Sequence, residues 1–288
     1  MKRYVGVGWL GACLAALLLA GVRAEDKPAG DAAAEKLGWH LAIQCWTFNR
    51  LTFFETVDIA QKLGIKYLEA FPGQKLKPGS DLGIGPGLKP EAIEEVKQKL
   101  QSAGVKLACI GVTGAGKDTF EFAKTMGIET IVSEEAENRL AAIDKLCGEY
   151  SINVSLHDHP KPSHYWNPDT ILAACKDLNL SKRIGSCSDT GHWMRSGLNP
   201  VECLKKLEGR VVSLHFKDLD KMGGGHDVPW GTGQGDAKGM LAELKRQGFK
   251  GVFSIEYEYG GGQQLIDNVA KCKEFFDKTA QELLAETK

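Results

Sequence analysis

The chain has 288 residues, with 36 Lys and Arg against 37 Asp and Glu and a formal net charge of −1. The first 24 residues hold Lys2, Arg3 and Arg23 and no acid, so the remainder carries 33 basic and 37 acidic groups, a balance that excludes the basic footprint of a nucleic-acid binder. A content of 43 % hydrophobic and 25 % charged residues excludes a disordered or fibrous chain and leaves one large α/β barrel or two small domains.

Lys2 and Arg3 precede an apolar, small-residue-rich run from Val5 to Leu19, and Val22-Arg23-Ala24 offers small residues around a cleavage point. This pattern predicts a signal peptide over 1–24 and an exported, periplasmic or secreted protein with no stable membrane anchor after its removal. Leu10-Gly11-Ala12-Cys13 resembles a lipoprotein box, but apolar residues continue well past Cys13, which argues against lipidation there. Residues 25–38, rich in Ala and charge, read as a flexible leader, and 39–288 as a single catalytic domain.

From residue 39 short β-rich runs alternate with segments of helical period. Strands are expected at Leu41–Trp46, Ile65–Phe71, Val105–Val112, Ile128–Ser133, Asn153–His157, Arg183–Ser188, Val211–Phe216 and Val252–Tyr257. A helix follows each, from Phe53–Leu63 after the first to a long helix that closes the chain. Gly64, Gly104, Gly127 and Gly248 stand near helix ends as C-caps should. Eight such units in this length predict a (β/α)8 TIM barrel, with a doubly wound open sheet as the alternative.

Two further patterns carry little. Gly111-Val112-Thr113-Gly114-Ala115-Gly116-Lys117 approaches a phosphate-binding loop, but Asp118 stands where Ser or Thr would meet magnesium, so a plain strand-to-helix loop over the barrel mouth is expected. The cysteines after residue 24, Cys45, Cys109, Cys147, Cys175, Cys187, Cys203 and Cys272, are odd in number and lack CxxC spacing. They read as small buried hydrophobes.

Six of the seven histidines fall between His157 and His226. In a barrel the carboxyl ends of the strands converge on one mouth, so the polar residues ending each strand matter most. They are Glu69, Glu134, His157, Asp189, His215 with Lys217, and Glu256, with His192 one turn past Asp189. His157, Asp189, His215 and Glu256 end four consecutive strands. Two imidazoles and two carboxylates suit Mn2+, Zn2+, Co2+ or Fe2+. His192 could be a ligand, a proton shuttle or an orienting partner of Asp189. His159, His164 and His226 are expected to meet substrate or solvent. Trp46, Trp166, Trp193 and Trp230 sit at or just beyond strand ends, where a flat face suits a sugar ring and loop packing is the alternative. Glu69, Arg195 and Lys217 are candidates for contact with substrate, with pairing to Asp218 or Asp220 as the alternative for Arg195 and Lys217.

The runs Ser188-Asp189-Thr190-Gly191-His192, Ser213-Leu214-His215-Phe216-Lys217-Asp218, Trp230-Gly231-Thr232-Gly233-Gln234-Gly235-Asp236 and Gly248 to Glu256 resemble the sugar isomerase/epimerase superfamily with the xylose-isomerase-like barrel. The resemblance implies Asp189, His215 and Glu256 as three of four metal ligands. The fourth is normally a Glu ending the fifth strand, and here His157 holds that place. It further implies two metal-bound glutamates on opposite sides of the substrate that remove and return a proton; with His157 in one of those places, Glu134 or His159 could take that role, or the reaction needs a single base. A divalent ion holding a carbonyl and an adjacent hydroxyl of a small unphosphorylated carbohydrate would stabilise the enediolate left by α-proton abstraction, with Glu256 as the candidate base. Loss of a β-substituent instead would make a lyase or dehydratase acting on a keto-sugar or 3-keto-glycoside. A non-catalytic carbohydrate-binding barrel is the third reading, and self-association is left open.

Overall fold

A computed structural model of the protein describes Met1 and residues 30–286. The proposed signal peptide and Cys13 lie outside the described residues. Eight parallel strands close into one barrel in sequence order: β1 (Trp39–Gln44), β2 (Tyr67–Ala70), β3 (Lys106–Ile110), β4 (Thr130–Ser133), β5 (Asn153–His157), β6 (Ile184–Asp189), β7 (Val211–Phe216) and β8 (Gly251–Ile255). Pairing of β1 with β8, Leu41 opposite Phe253, excludes the open-sheet alternative.

Among the described residues ten α-helices surround the strands: α1 (Gly30–Leu37), α2 (Phe53–Leu63), α3 (Pro90–Ala103), α4 (Lys117–Met126), α5 (Glu137–Tyr150), α6 (Pro168–Asp177), α7 (Thr190–Arg195), α8 (Pro200–Lys206), α9 (Ala237–Arg246) and α10 (Gly262–Ala285). Among the described residues no helix is long and apolar enough to cross a membrane. The local chemistry that starts and stops them is ordinary. Thr52 and Glu55 form a reciprocal capping box at α2, and Gly64 ends that helix in the left-handed conformation.

Two elements depart from expectation. Residues from Gly30 onward, expected to be flexible leader, form α1, with Ala33 and Ala34 buried and Asp31 paired to Lys273 of α10 at 3.1 Å. Eight Ala-rich residues carry too weak a periodicity for the sequence to show the apolar face that this helix buries. Between β6 and α8 the chain also makes the short α7, started by the Asp189 side chain accepting from His192 N at 2.8 Å.

The main core lies between strands and helices, where Trp39, Phe253 and Phe276 pack with ring centroids 5.1–5.9 Å apart. Inside the barrel the residues are small: Ala42, Ala108, Cys109, Val132, Cys187 and Val252. All seven described cysteines are free and buried. The phosphate-loop-like run is a β3–α4 loop, anchored by Ala115 N donating to Glu135 Oε1 at 2.8 Å.

Candidate metal centre and cleft

His157, Asp189 and His215 end β5, β6 and β7, and Glu256 follows β8 directly. All four are buried, and one ligand atom from each lies within 4.8 Å of the others. Strand register produces this convergence, since Asp189 is the lateral partner of His215 across β6 and β7. Each imidazole is held from behind. His157 donates through Nδ1 to Glu134 Oε1 at 2.8 Å, and His215 donates through Nε2 to Glu69 Oε1 at 2.8 Å. The opposite nitrogens, His157 Nε2 and His215 Nδ1, are buried and make no hydrogen bond, but face carboxylates, Asp189 at 3.5 Å and Glu256 at 3.1 Å. Two such imidazole nitrogens aimed at two carboxylates are what a divalent ion requires, so the residues present fit such an ion.

Glu69 was expected to touch substrate. It lies instead beneath the centre, fully buried, accepting from His215, from Ser254 Oγ at 2.6 Å and from Gln44 Nε2 at 3.2 Å. Its strand-end position was legible, but whether such a side chain faces the mouth or the layer below depends on barrel register. Lys217, another candidate for substrate, is fully buried too. Its ammonium lies 2.8 Å from Asp189, 2.6 Å from Glu256 and 2.9 Å from Glu258. Burial would lower its pKa, but these three carboxylates hold it well above the usual lysine range.

Burial would raise the Glu256 carboxyl, yet Lys217 and His215, the latter at 3.1 Å, hold it well below the ordinary carboxylate range. Glu134 also accepts from His159 Nδ1, and hydrogen bonds from both histidines outweigh its burial and bring it down to about 2. The same contact raises His159, whose side chain is half exposed. His192 stands beside the cluster of His157, Asp189, His215 and Glu256, not within it. Burial pushes its pKa down to about 2, and the Arg195 guanidinium donates to its Nδ1 at 2.9 Å, so the ring is neutral with Nε2 turned toward Asp189 at 3.5 Å.

Over the centre opens a cavity of about 220 Å³, lined by Gln44, Trp46, His157, His159, His192 and Glu256, with Phe71, Gly111, Val112 and Glu258 at its sides. Of the four tryptophans expected at the mouth, Trp46 lines this cavity and packs edge-on against Phe71 at 4.7 Å. Trp193 and Trp230 are core residues and not mouth residues: Trp193 is fully buried, and Trp230 packs against Phe216 and Phe276. Trp166 lies outside the cavity lining, half-buried under the Lys161 ammonium at 5.2 Å. Arg195 bonds Asp227 at 3.2 Å and Glu258 at 2.9 Å, and so braces the mouth rather than facing it. His164 and His226 pair with Glu137 and Asp220 away from the centre.

Several participants escaped the sequence reading. Gln44 ties Glu69 to Gly111 O, and Asp158 accepts from Asp189 N at 2.9 Å while burial and the Asp189 charge hold its carboxyl well above the usual range. Asp218, an alternative partner for Arg195 or Lys217, accepts from the backbone of Gly231, Gly233 and Gly235 at 2.9–3.0 Å. The alternating glycines of that loop were the available signal, because a Cβ at Gly233 would lie 2.4 Å from Asp218 Oδ1.

A family model described as xylose isomerase-like TIM barrel matches residues 57–279. The chain belongs to that family. Among solved structures this family member is similar to an uncharacterised protein from Parabacteroides distasonis at 34 % identity, covering 84 % of this chain and 99 % of that one with a TM-score of 0.68. A D-tagatose 3-epimerase-like protein shares the fold at 17 % identity, 86 % and 100 % coverage and a TM-score of 0.68. So does the IOLI protein, whose crystal structure has a bound zinc atom, at 17 % identity, 86 % and 98 % coverage and a TM-score of 0.62. A search of curated proteins finds no match.

Proposed function

We propose that this xylose isomerase-like barrel is a divalent-metal-dependent enzyme that removes a proton next to the carbonyl of a small unphosphorylated carbohydrate, as sugar isomerases and epimerases do. The observation that carries the reading is the pair of buried nitrogens that make no hydrogen bond, His157 Nε2 and His215 Nδ1, facing Asp189 and Glu256. A divalent ion bound by these four residues would polarise a carbonyl and an adjacent hydroxyl and offset the charge that develops as the proton leaves. The cavity lining supplies Glu256 and Glu258 and no Lys or Arg, which disfavours a phosphate.

His159 is the group best situated to move the proton. It lines the cavity, half exposed, and its Nδ1 rests on the Glu134 carboxylate, which leaves Nε2 for substrate. Glu256, expected from the sequence to be the base, is assigned a binding role because Lys217 and His215 already occupy its charge. Trp46 offers an apolar face to a sugar ring, and Gln44 and His192 offer hydrogen bonds to hydroxyls.

A second reading is a lyase acting on a keto-sugar or 3-keto-glycoside. His157 favours it: where two opposed carboxylates would serve epimerisation on both faces, this centre has an imidazole committed to Glu134. One exposed acid–base group then removes the α-proton and protonates the departing oxygen. Export to the periplasm or medium belongs to the same proposal and rests on the pattern of residues 1–24.

The test is metal analysis of the purified chain, then exchange of substrate α-protons in deuterated water with ketoses and 3-keto-glycosides. Bound metal near one equivalent and exchange are expected, with His159→Gln lowering exchange by about 10²–10⁴-fold. Exchange without release of water or an aglycone supports the isomerase, and release supports the lyase. No metal and no exchange would refute both.

A further inference from the structure

A second and larger cavity, about 520 Å³, adjoins the catalytic one at the same end of the barrel. It lies between the turn after β1, residues 45–51, and the segment joining β8 to α10, residues 257–266. Trp46 and Glu258 line both cavities and form their common wall. At about 220 Å³ the catalytic cavity is smaller than the ~300–1,000 Å³ typical of ligand clefts, whereas the two together fall inside that range.

The second cavity has the mixed lining that sugar-ring recognition needs. Trp46 is 39 % exposed although its ring packs edge-on against Phe71. Ile266 adds apolar surface from α10, and Asn49 and Arg50 add hydrogen-bonding groups from the other side. Among the described residues neither polar side chain makes a hydrogen bond or ion pair, so both are available to hydroxyls. The walls are themselves braced, since Thr47 Oγ donates to Ile255 O at 3.1 Å and accepts from Tyr257 N at 2.9 Å.

We infer that this cavity is a second ring-binding subsite, so that the substrate is a glycoside of at least two ring units, one over the metal centre and one beyond Trp46. The inference rests on the proposed carbohydrate function and narrows it to a two-ring substrate class. Shared walls make the occupant a continuation of the catalytic ligand rather than a separate effector.

Calorimetric titration of the full chain supplied with Mn2+ tests this with glucose and with a panel of glucose disaccharides, a readout independent of turnover. At least one disaccharide is expected to bind tenfold or more tightly than glucose. Ile266→Trp and Gly261→Trp should abolish that advantage by filling the cavity. Gly261 has extended backbone and open space around its Cβ position, so the second variant has room to fold. Glucose binding with no tighter disaccharide, or variants that weaken both sugars equally, would overturn the subsite and leave the carbohydrate reading standing. No binding by any sugar would overturn both.

Discussion

His157 and His215 each have one ring nitrogen hydrogen-bonded to a carboxylate behind it and the other turned toward Asp189 or Glu256, and that asymmetry sets the tautomer each would present to an ion. Glu69 is accordingly expected to matter for metal affinity without touching the metal. Glu69→Gln should weaken Mn2+ or Zn2+ binding about 10–100-fold in a competitive chelator titration, and an unchanged affinity would remove its orienting role. His192 leads to a pH prediction. Its folded pKa is depressed to about 2 from an ordinary value of 6.5, so the unfolded chain takes up its proton first as pH falls. The stability it contributes is complete above pH 6.5 and is lost progressively between 6.5 and 2. Urea unfolding of metal-free protein should show a declining midpoint below pH 6.5, and His192→Gln should make that decline shallower. The residue types and strand-end positions of the ligand set were readable from the chain. The buried pairing of Lys217 and the downward placement of Glu69 were not, because both depend on neighbours more than 25 residues away along the chain or on strands across the barrel.

Among the elements, two helix-and-loop devices of similar appearance differ in weight. The α2 capping box is half exposed, and Thr52→Ala should cost about 1 kcal/mol, a fall of about 2–4 °C in Tm. Asp218 is buried and holds three glycine N–H groups of the loop before α9, so Asp218→Ala should cost about 3 kcal/mol and lower Tm by about 6–12 °C. Scanning calorimetry of the two variants compares them directly, and equal shifts would mean that the loop is held by something other than Asp218. The strands and long helices followed from periodicity and capping signals in the chain. The short α7 did not, since six residues give no readable period. It exists because one oxygen of the Asp189 side chain caps it while the other lies against Lys217.

For the molecule as a whole, α1 packs onto α10 at the end of the barrel where the strands begin, through Ala33 and Ala34 and the Asp31–Lys273 pair. A chain beginning at Trp39 should melt at least roughly 5 °C below one beginning at Gly30, and identical melting would return α1 to the role of a dispensable leader. Barrel closure places β1 against β8, and with that pairing it builds the cleft in which Trp46 and Glu258 are shared by two cavities.

Local chain chemistry was sufficient for the eight-fold alternation, the strand-end positions of His157, Asp189, His215 and Glu256, and the mildly acidic balance, because periodicity, caps and charge are properties of neighbouring residues. Which face each remaining side chain presents was a matter of long-range packing. Trp193 and Trp230 turned inward where burial of large aromatic surface is favourable, Trp46 stayed at the mouth, and Lys217 was drawn beneath it by three carboxylates from β6 and the β8 end. Barrel register sets those directions, and it exists only once the eight strands have closed.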